Sequence, residues 1–350
     1  MSPTFFAYHL KILFPSVFLL FLIGCKERAE RKIDRSFYYW KSVFTLTDFE
    51  KKKLDSLDIK TLYIKFFDVT WDEFKKQPNP TAIIDGSKQK LPEEFIVIPT
   101  VFITNECMQK IDSSQLTELS NNINNLISKV LNINGFNSIN EVQIDCDWTS
   151  TTKDNYFSLL RKIKEHWKNI AIPISATIRL HQIKYISKSG VPPVDKGLLM
   201  CYNMGNLKNP ATKNSILDIS EMKKYIGNLG SYPLQLDVAL PLFDWHVLFR
   251  NNRYEGLIED ITLTNNSAVK KTNETSYTFL KDTLFNGLQF RKDDIIRYEQ
   301  SEYKEIISAA KIVSEQLQTR NLKLSFFHLD SLTLSKYSIY ELESIYNSLR

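Results

Sequence analysis

Glu141-Val142-Gln143-Ile144-Asp145-Cys146-Asp147-Trp148-Thr149 is a short apolar run that ends in two carboxylates. In an extended strand side chains alternate between faces, so Asp145 and Asp147 point one way while Ile144 and Cys146 point the other. Two acids on one face of a strand that otherwise reads as buried are costly, and their pKa values are pushed apart. One reading is a structural pair satisfied by neighbouring hydroxyls or an Arg. The other is a carbohydrate or metal site at the carboxyl end of a barrel strand.

Apolar, β-rich runs alternate with amphipathic stretches on both sides of this segment. Six further runs read as strands: 61–67 closing in Asp68, 95–104, 171–180, 197–203, 234–240 and 322–329 closing in Asp330. An eighth strand is expected at the weak run 81–85. Helices are expected at 48–57, at 114–131 on the stripe Leu116, Leu119, Ile123, Leu126, Ile127 and Val130, around Tyr156 to Ile163, at 216–229, at 303–317 and at 338–349. Alternation of this kind predicts a parallel sheet. Eight repeats fit an α/β fold of the (β/α)8 TIM type, with a doubly wound open sheet as the alternative. The polar stretch 250–298 breaks the rhythm and reads as an insertion after the seventh strand, opening with a hairpin of 247–249 against 256–258.

With 43% hydrophobic and 24% charged residues, the 350-residue chain has the composition of a folded protein. Its net charge of +5 is spread along the chain, which gives no nucleic-acid footprint. No Gly-rich phosphate loop accompanies any strand, so no nucleotide cofactor is implied. The start differs from the rest: an apolar run of about a dozen residues, 12–24, is too short to span a bilayer and fits the core of a signal peptide. The expected division is therefore a leader at 1–24, a charged tether at 25–36 and a barrel domain at 37–350. Phe37-Tyr38-Tyr39-Trp40 opens that domain and reads as a packing plug under the barrel, with a sugar subsite as the other reading. Cys107, Cys146 and Cys201 have no Cys-x-x-Cys spacing and are expected to be small core residues.

Two resemblances add to this. Leu22-Ile23-Gly24-Cys25 resembles the lipobox of bacterial lipoproteins, which implies a Cys25 that is diacylated and an envelope protein anchored to, but not spanning, a membrane; a group of bacterial lipoproteins with barrel domains is similar. Asp145-Cys146-Asp147-Trp148-Thr149 resembles the end of the fourth-strand motif Asp-x-x-Asp-x-Asp-x-Glu of chitinase-type glycoside hydrolases, family eighteen. Met200-Cys201-Tyr202 looks like the Met-x-Tyr of that family's sixth strand, and the run from Leu236 to Phe243 is similar to its seventh. The resemblance implies a glycan ligand at the barrel mouth. The chain departs from the motif at Val142 and at Thr149, which stands where the catalytic Glu belongs, and a Thr hydroxyl cannot serve as that acid.

Asp68, Asp237, Asp244 and Asp330 each lie in or just after a strand and are candidates for a replacement acid. Asp237, which interrupts an apolar strand, is preferred as the acid, with an Asp bound to an Arg such as Arg179 as the other reading. Asp147 would stabilise charge or act as nucleophile, held by Asp145. Tyr202 and Trp245 would offer ring faces to a sugar, and Arg179 and Asn203 directional hydrogen bonds, with Asp68 and Asp330 at the rim. Asp145 and Asp147 would suit a hard cation with water, yet no third ligand sits at a telling spacing, and no metal is assigned. His181 and His246 read as structural. Two functions follow: a glycoside hydrolase working through Asp145, Asp147 and Asp237, or a barrel without catalysis that binds glycan or serves a surface assembly.

Overall fold

The computed structural model describes residues 31–136, 139–258, 261–263 and 267–350. The leader at 1–24 and Cys25 lie outside them. Eight parallel strands form the frame: Lys32–Tyr39, Thr61–Asp72, Ile96–Ile103, Val142–Asp145, Ile174–Arg179, Lys196–Met200, Leu236–Pro241 and Asn321–Phe327. The first strand pairs with both the eighth and the second, so the sheet closes into a barrel and the open-sheet alternative falls. Being buried on both faces, these strands read as apolar runs in sequence.

Helices pack around the outside. Leu116–Asn134 and Lys153–Lys168 bury the stripes expected of them, the latter through Tyr156, Leu159, Leu160, Ile163 and Trp167. Gly135, at φ 68°, ends the first of these in the left-handed conformation that glycine adopts without cost. The stretch expected as one helix at 216–229 is two short pieces, Ile219–Lys223 and Ile226–Ser231.

Three expectations are corrected. The eighth strand is not 81–85 but Lys32–Tyr39, which takes residues 32–36 of the expected tether. Its leading half is polar because Lys32 and Asp34 project into solvent at the barrel's lower rim while their backbone pairs with the eighth strand. Phe37 to Trp40 accordingly are not a plug; Phe37 to Tyr39 end that strand and Trp40 follows it. The segment near 81 instead contributes Gln77–Thr81, an antiparallel strand added to the overlong second strand.

The insertion starts earlier than expected, at Asp244. Its strands Asp244–Arg250, Arg253–Ile258, Val269–Lys271, Ser276–Phe279 and Ile295–Gln300 make an antiparallel sheet, and the opening hairpin is the one expected. Ile258, Ile261, Leu263, Phe279, Phe290 and Ile296 give it a core of its own. The helix that resumes the barrel is Tyr303–Gln316.

Candidate functional site

Inside the barrel the inward side chains stack in layers, and the lowest layer is charged. Glu141 accepts from the ammonium groups of Lys196 (2.6 Å) and Lys323 (3.2 Å), and Lys196 also reaches Asp237 (2.8 Å). Burial works to raise the pKa of Glu141, but the two lysines outweigh it and hold the carboxyl below its usual range. The backbone N–H of Lys323 donates to the other oxygen of Asp237 (2.8 Å). Asp237 is thus a floor residue, and its expected place at the mouth is corrected: it is the second residue of its strand, and the mouth lies at the strand's other end. In the layer above, the Tyr38 hydroxyl donates to Gln143 (2.5 Å) and the Ser175 hydroxyl to Glu141 (2.5 Å).

Asp145 and Asp147 lie above these layers, towards the mouth. Asp145 is 3% exposed and accepts from the Thr177 hydroxyl (2.5 Å). Burial and the neighbouring charge of Asp147 push its pKa up to about 6, against the pull of Arg179 and Thr177. Asp147, two residues past the end of the strand, faces solvent with its side chain half exposed. Arg179, at the end of the fifth strand, grips both its oxygens: Nε donates to one at 2.5 Å and Nη2 to the other at 3.1 Å. This forked geometry is the strong form of an Arg–carboxylate pair. Thr177 and Arg179, two apart on one strand, meet Asp145 and Asp147, two apart on the next. Alternation therefore predicts the quartet once the two strands are neighbours.

Trp148 points outward instead. It is buried, stacks on Tyr156 at 5.2 Å and donates to the Ser189 carbonyl (3.0 Å), which fixes the backbone on which Asp147 sits. Thr149 is exposed, and its hydroxyl sits within hydrogen-bond distance of Thr151 (2.9 Å) and Thr152 (3.3 Å).

Aromatic rings line the mouth around Phe327. Tyr202 stacks on it at 5.3 Å, while Trp40 at 5.5 Å and Phe243 at 5.6 Å meet it edge-on. Trp245 lies 5.2 Å from Phe243 but belongs to the insertion, and its indole N–H donates to Glu299 (2.8 Å). Glu299 is buried, accepts from the backbone N–H and hydroxyl of Ser215, and is paired with Arg297 at 2.6 Å. Arg297 in turn donates to the carbonyls of Leu207, Asn209 and Pro210. One buried ion pair therefore fastens the long loop after the sixth strand to the inserted sheet and sets the Trp245 ring. Nothing in the sequence signals the role of Glu299, because Trp245 and Ser215, which it joins, lie 54 and 84 residues away.

Other expected site residues have structural partners. Asp330 caps helix Ser331–Ser335 and is bridged to Lys41 (2.9 Å), so it is not free at the rim. Asp244 accepts from the Tyr298 hydroxyl (2.7 Å) and pairs with Lys336. Asn203, at φ 54°, is exposed and uses its backbone N–H to hold Ile216. Asp68 pairs with Lys65 (3.1 Å) close enough to Asp145 to raise its pKa. Three buried atoms in this region, Asp68 Oδ1, Arg179 Nη1 and the Tyr202 hydroxyl, have no hydrogen-bond partner among the described residues. Among those residues no cluster of three His, Cys, Asp or Glu forms a metal site. Two cavities, of ≈ 110 Å³ beside helix Leu116–Asn134 and ≈ 480 Å³ beneath the seventh and eighth strands, lie away from the mouth.

No family model and no curated protein matches the chain. Solved structures do match its fold. The spore cortex-lytic enzyme SleL of Bacillus cereus is 13% identical, with 92% of this chain and 76% of that one covered at a TM-score of 0.53. The GH18 chitinase ChiB of Flavobacterium johnsoniae is 11% identical over 91% and 94%, at 0.54. A mutant GH18 chitinase of Cycas revoluta in complex with (GlcNAc)4 is 12% identical over 90% and 99%, at 0.54. The barrel thus has the glycoside-hydrolase-like fold of family-18 chitinases.

Proposed function

We propose that this chitinase-type barrel binds a glycan at its mouth without hydrolysing it. The observation that carries the reading is the Arg179 fork on Asp147. A carboxylate whose two oxygens are both occupied by a guanidinium is a poor nucleophile and has no proton to give. Thr149 supplies no acid, and Asp237 is bound to Lys196 on the floor. The mouth still offers what a sugar needs: ring faces at Trp245, Trp40 and Phe327, and two buried donors, Arg179 Nη1 and the Tyr202 hydroxyl, without acceptors among the described residues. Each such unmet group costs about 1–3 kcal/mol, and a ligand oxygen accepting from it removes that cost.

The (GlcNAc)4 bound by the Cycas revoluta chitinase suggests the first probe. Titration calorimetry with N-acetylated and neutral oligosaccharides, with product analysis on the same samples, should give binding heat and no shortened product. Trp245→Ala should weaken binding about tenfold, or ~1.4 kcal/mol. Absence of binding to every oligosaccharide would sink the reading. One observation favours hydrolysis as a second reading: Asp145, with its pKa near 6, holds a proton in weak acid. Turnover that disappears in Asp145→Asn would establish it.

The sequence 12–25 supports a lipid-anchored place in the cell envelope, through acylation of Cys25. Cys25→Ala should move the protein from the membrane to the soluble fraction. Unchanged membrane association would contradict acylation.

A further inference from the structure

Arg31, where the described chain begins, is buried, and its guanidinium is heavily bonded. Nε donates to the Thr319 carbonyl (2.7 Å), Nη1 to the Leu349 carbonyl (2.6 Å) and Ser314 hydroxyl (2.9 Å), and Nη2 to the carbonyls of Leu317 (2.6 Å) and Ser314 (3.3 Å). Leu317 caps helix Tyr303–Gln316, and Leu349 follows helix Ile339–Asn347. Carbonyls at helix C-termini carry the negative end of the dipole, so a cation is favoured there. The next residue, Lys32, donates its N–H to Arg320, immediately before the eighth strand. These contacts all lie at the floor. The point where the chain enters the barrel is therefore pinned opposite the mouth.

Six residue steps separate Cys25 from Arg31. They reach at most ~21 Å, however the chain runs. The second strand, Thr61–Asp72, rises for eleven steps from the floor, and its hairpin tip carries Phe74, 99% exposed. At ~3.3 Å per step and a tilt of ~36°, that tip stands about 30 Å above the floor. Laying the mouth on the membrane that holds Cys25 would need a tether that passes down the whole barrel wall, and six residues are too few.

We propose that the acylated Cys25 seats the barrel floor-down, so that the lipid surface is the partner of the floor and the mouth opens away from it. This rests on the lipid-anchor reading and is independent of whether the mouth binds or hydrolyses. Exposed Ile133 and Ile170, at the ends of floor-side connections, then face the bilayer. The ligand of the mouth consequently arrives from the aqueous side, and the headgroups of the protein's own membrane are out of its reach.

Cys107, Cys146 and Cys201 are buried, so a thiol-reactive dye can report an introduced surface cysteine. The full acylated chain carrying Ile170→Cys or Phe74→Cys is labelled and reconstituted into phosphatidylethanolamine–phosphatidylglycerol vesicles with nitroxide-headgroup lipid. Quenching should be several-fold stronger at position 170 than at 74. Equal quenching, or stronger quenching at 74, in protein that still floats with the vesicles overturns the orientation alone. A chain that fails to float and whose Cys25 is unmodified by mass overturns the anchor, and the orientation with it.

Discussion

Asp145 and Asp147 are chemically identical and two residues apart, yet their surroundings give them different work. Asp147 reaches solvent and the Arg179 fork, whereas Asp145 is shut in with one hydroxyl donor. With a folded pKa of about 6, Asp145 binds its proton more tightly in the native protein than in the unfolded chain, where it titrates near 3.8. Unfolding between those values releases a proton, so the contribution of Asp145 to stability falls as pH rises from about 4 to about 6 and stays low above. The shift corresponds to roughly 2–3 kcal/mol. Asp145→Asn should therefore stabilise the fold at pH 8 relative to wild type and change little at pH 4, as read from urea midpoints. An equal effect at both pH values would contradict the burial argument. That the two acids share a face follows from strand alternation alone; that Arg179 stands across from Asp147 depends on which strand is the neighbour and in what register.

The inserted sheet illustrates how one element is held to another. Its own core is small, and its attachment to the loop after the sixth strand runs through Arg297 and Glu299. Buried ion pairs are expensive to desolvate, and removing one partner strands the other. Glu299→Ala should cost about 3–5 kcal/mol in a denaturant titration and release the indole of Trp245, seen as increased acrylamide quenching of tryptophan fluorescence. Glu299→Gln keeps an acceptor for the indole and should lie between the two. A neutral Glu299→Ala would mean that the loop is held by other contacts. The polar composition of 250–298 announced an insertion but not its sheet, because short, half-exposed strands alternate too weakly to stand out from loop.

Across the whole molecule, the two ends of the described residues meet. The first strand lies between the second and the eighth, and Arg31 fastens that junction to the last two long helices. Arg31→Ala leaves several helix-terminal carbonyls without their donor, and should lower stability by about 2–4 kcal/mol by calorimetry or urea titration. Arg31→Lys should recover only part, since an ammonium lacks the forked reach of a guanidinium. A loss below ~0.5 kcal/mol, the usual range for surface changes, would show that the clamp is dispensable.

The local chemistry of the sequence was enough for the alternation of strands and helices, the barrel class, the existence of an insertion after the seventh strand and the pair Asp145 and Asp147 on one face. Those features depend on periodicity and on near neighbours along the chain. Closure through Lys32–Tyr39, the descent of Asp237 to the floor beside Lys196, the capture of Asp147 by Arg179 and the tie between Trp245 and Glu299 were settled by folding. Each joins residues dozens to hundreds of positions apart, and a linear pattern carries no information on strand register or on which polar groups find one another once water is expelled.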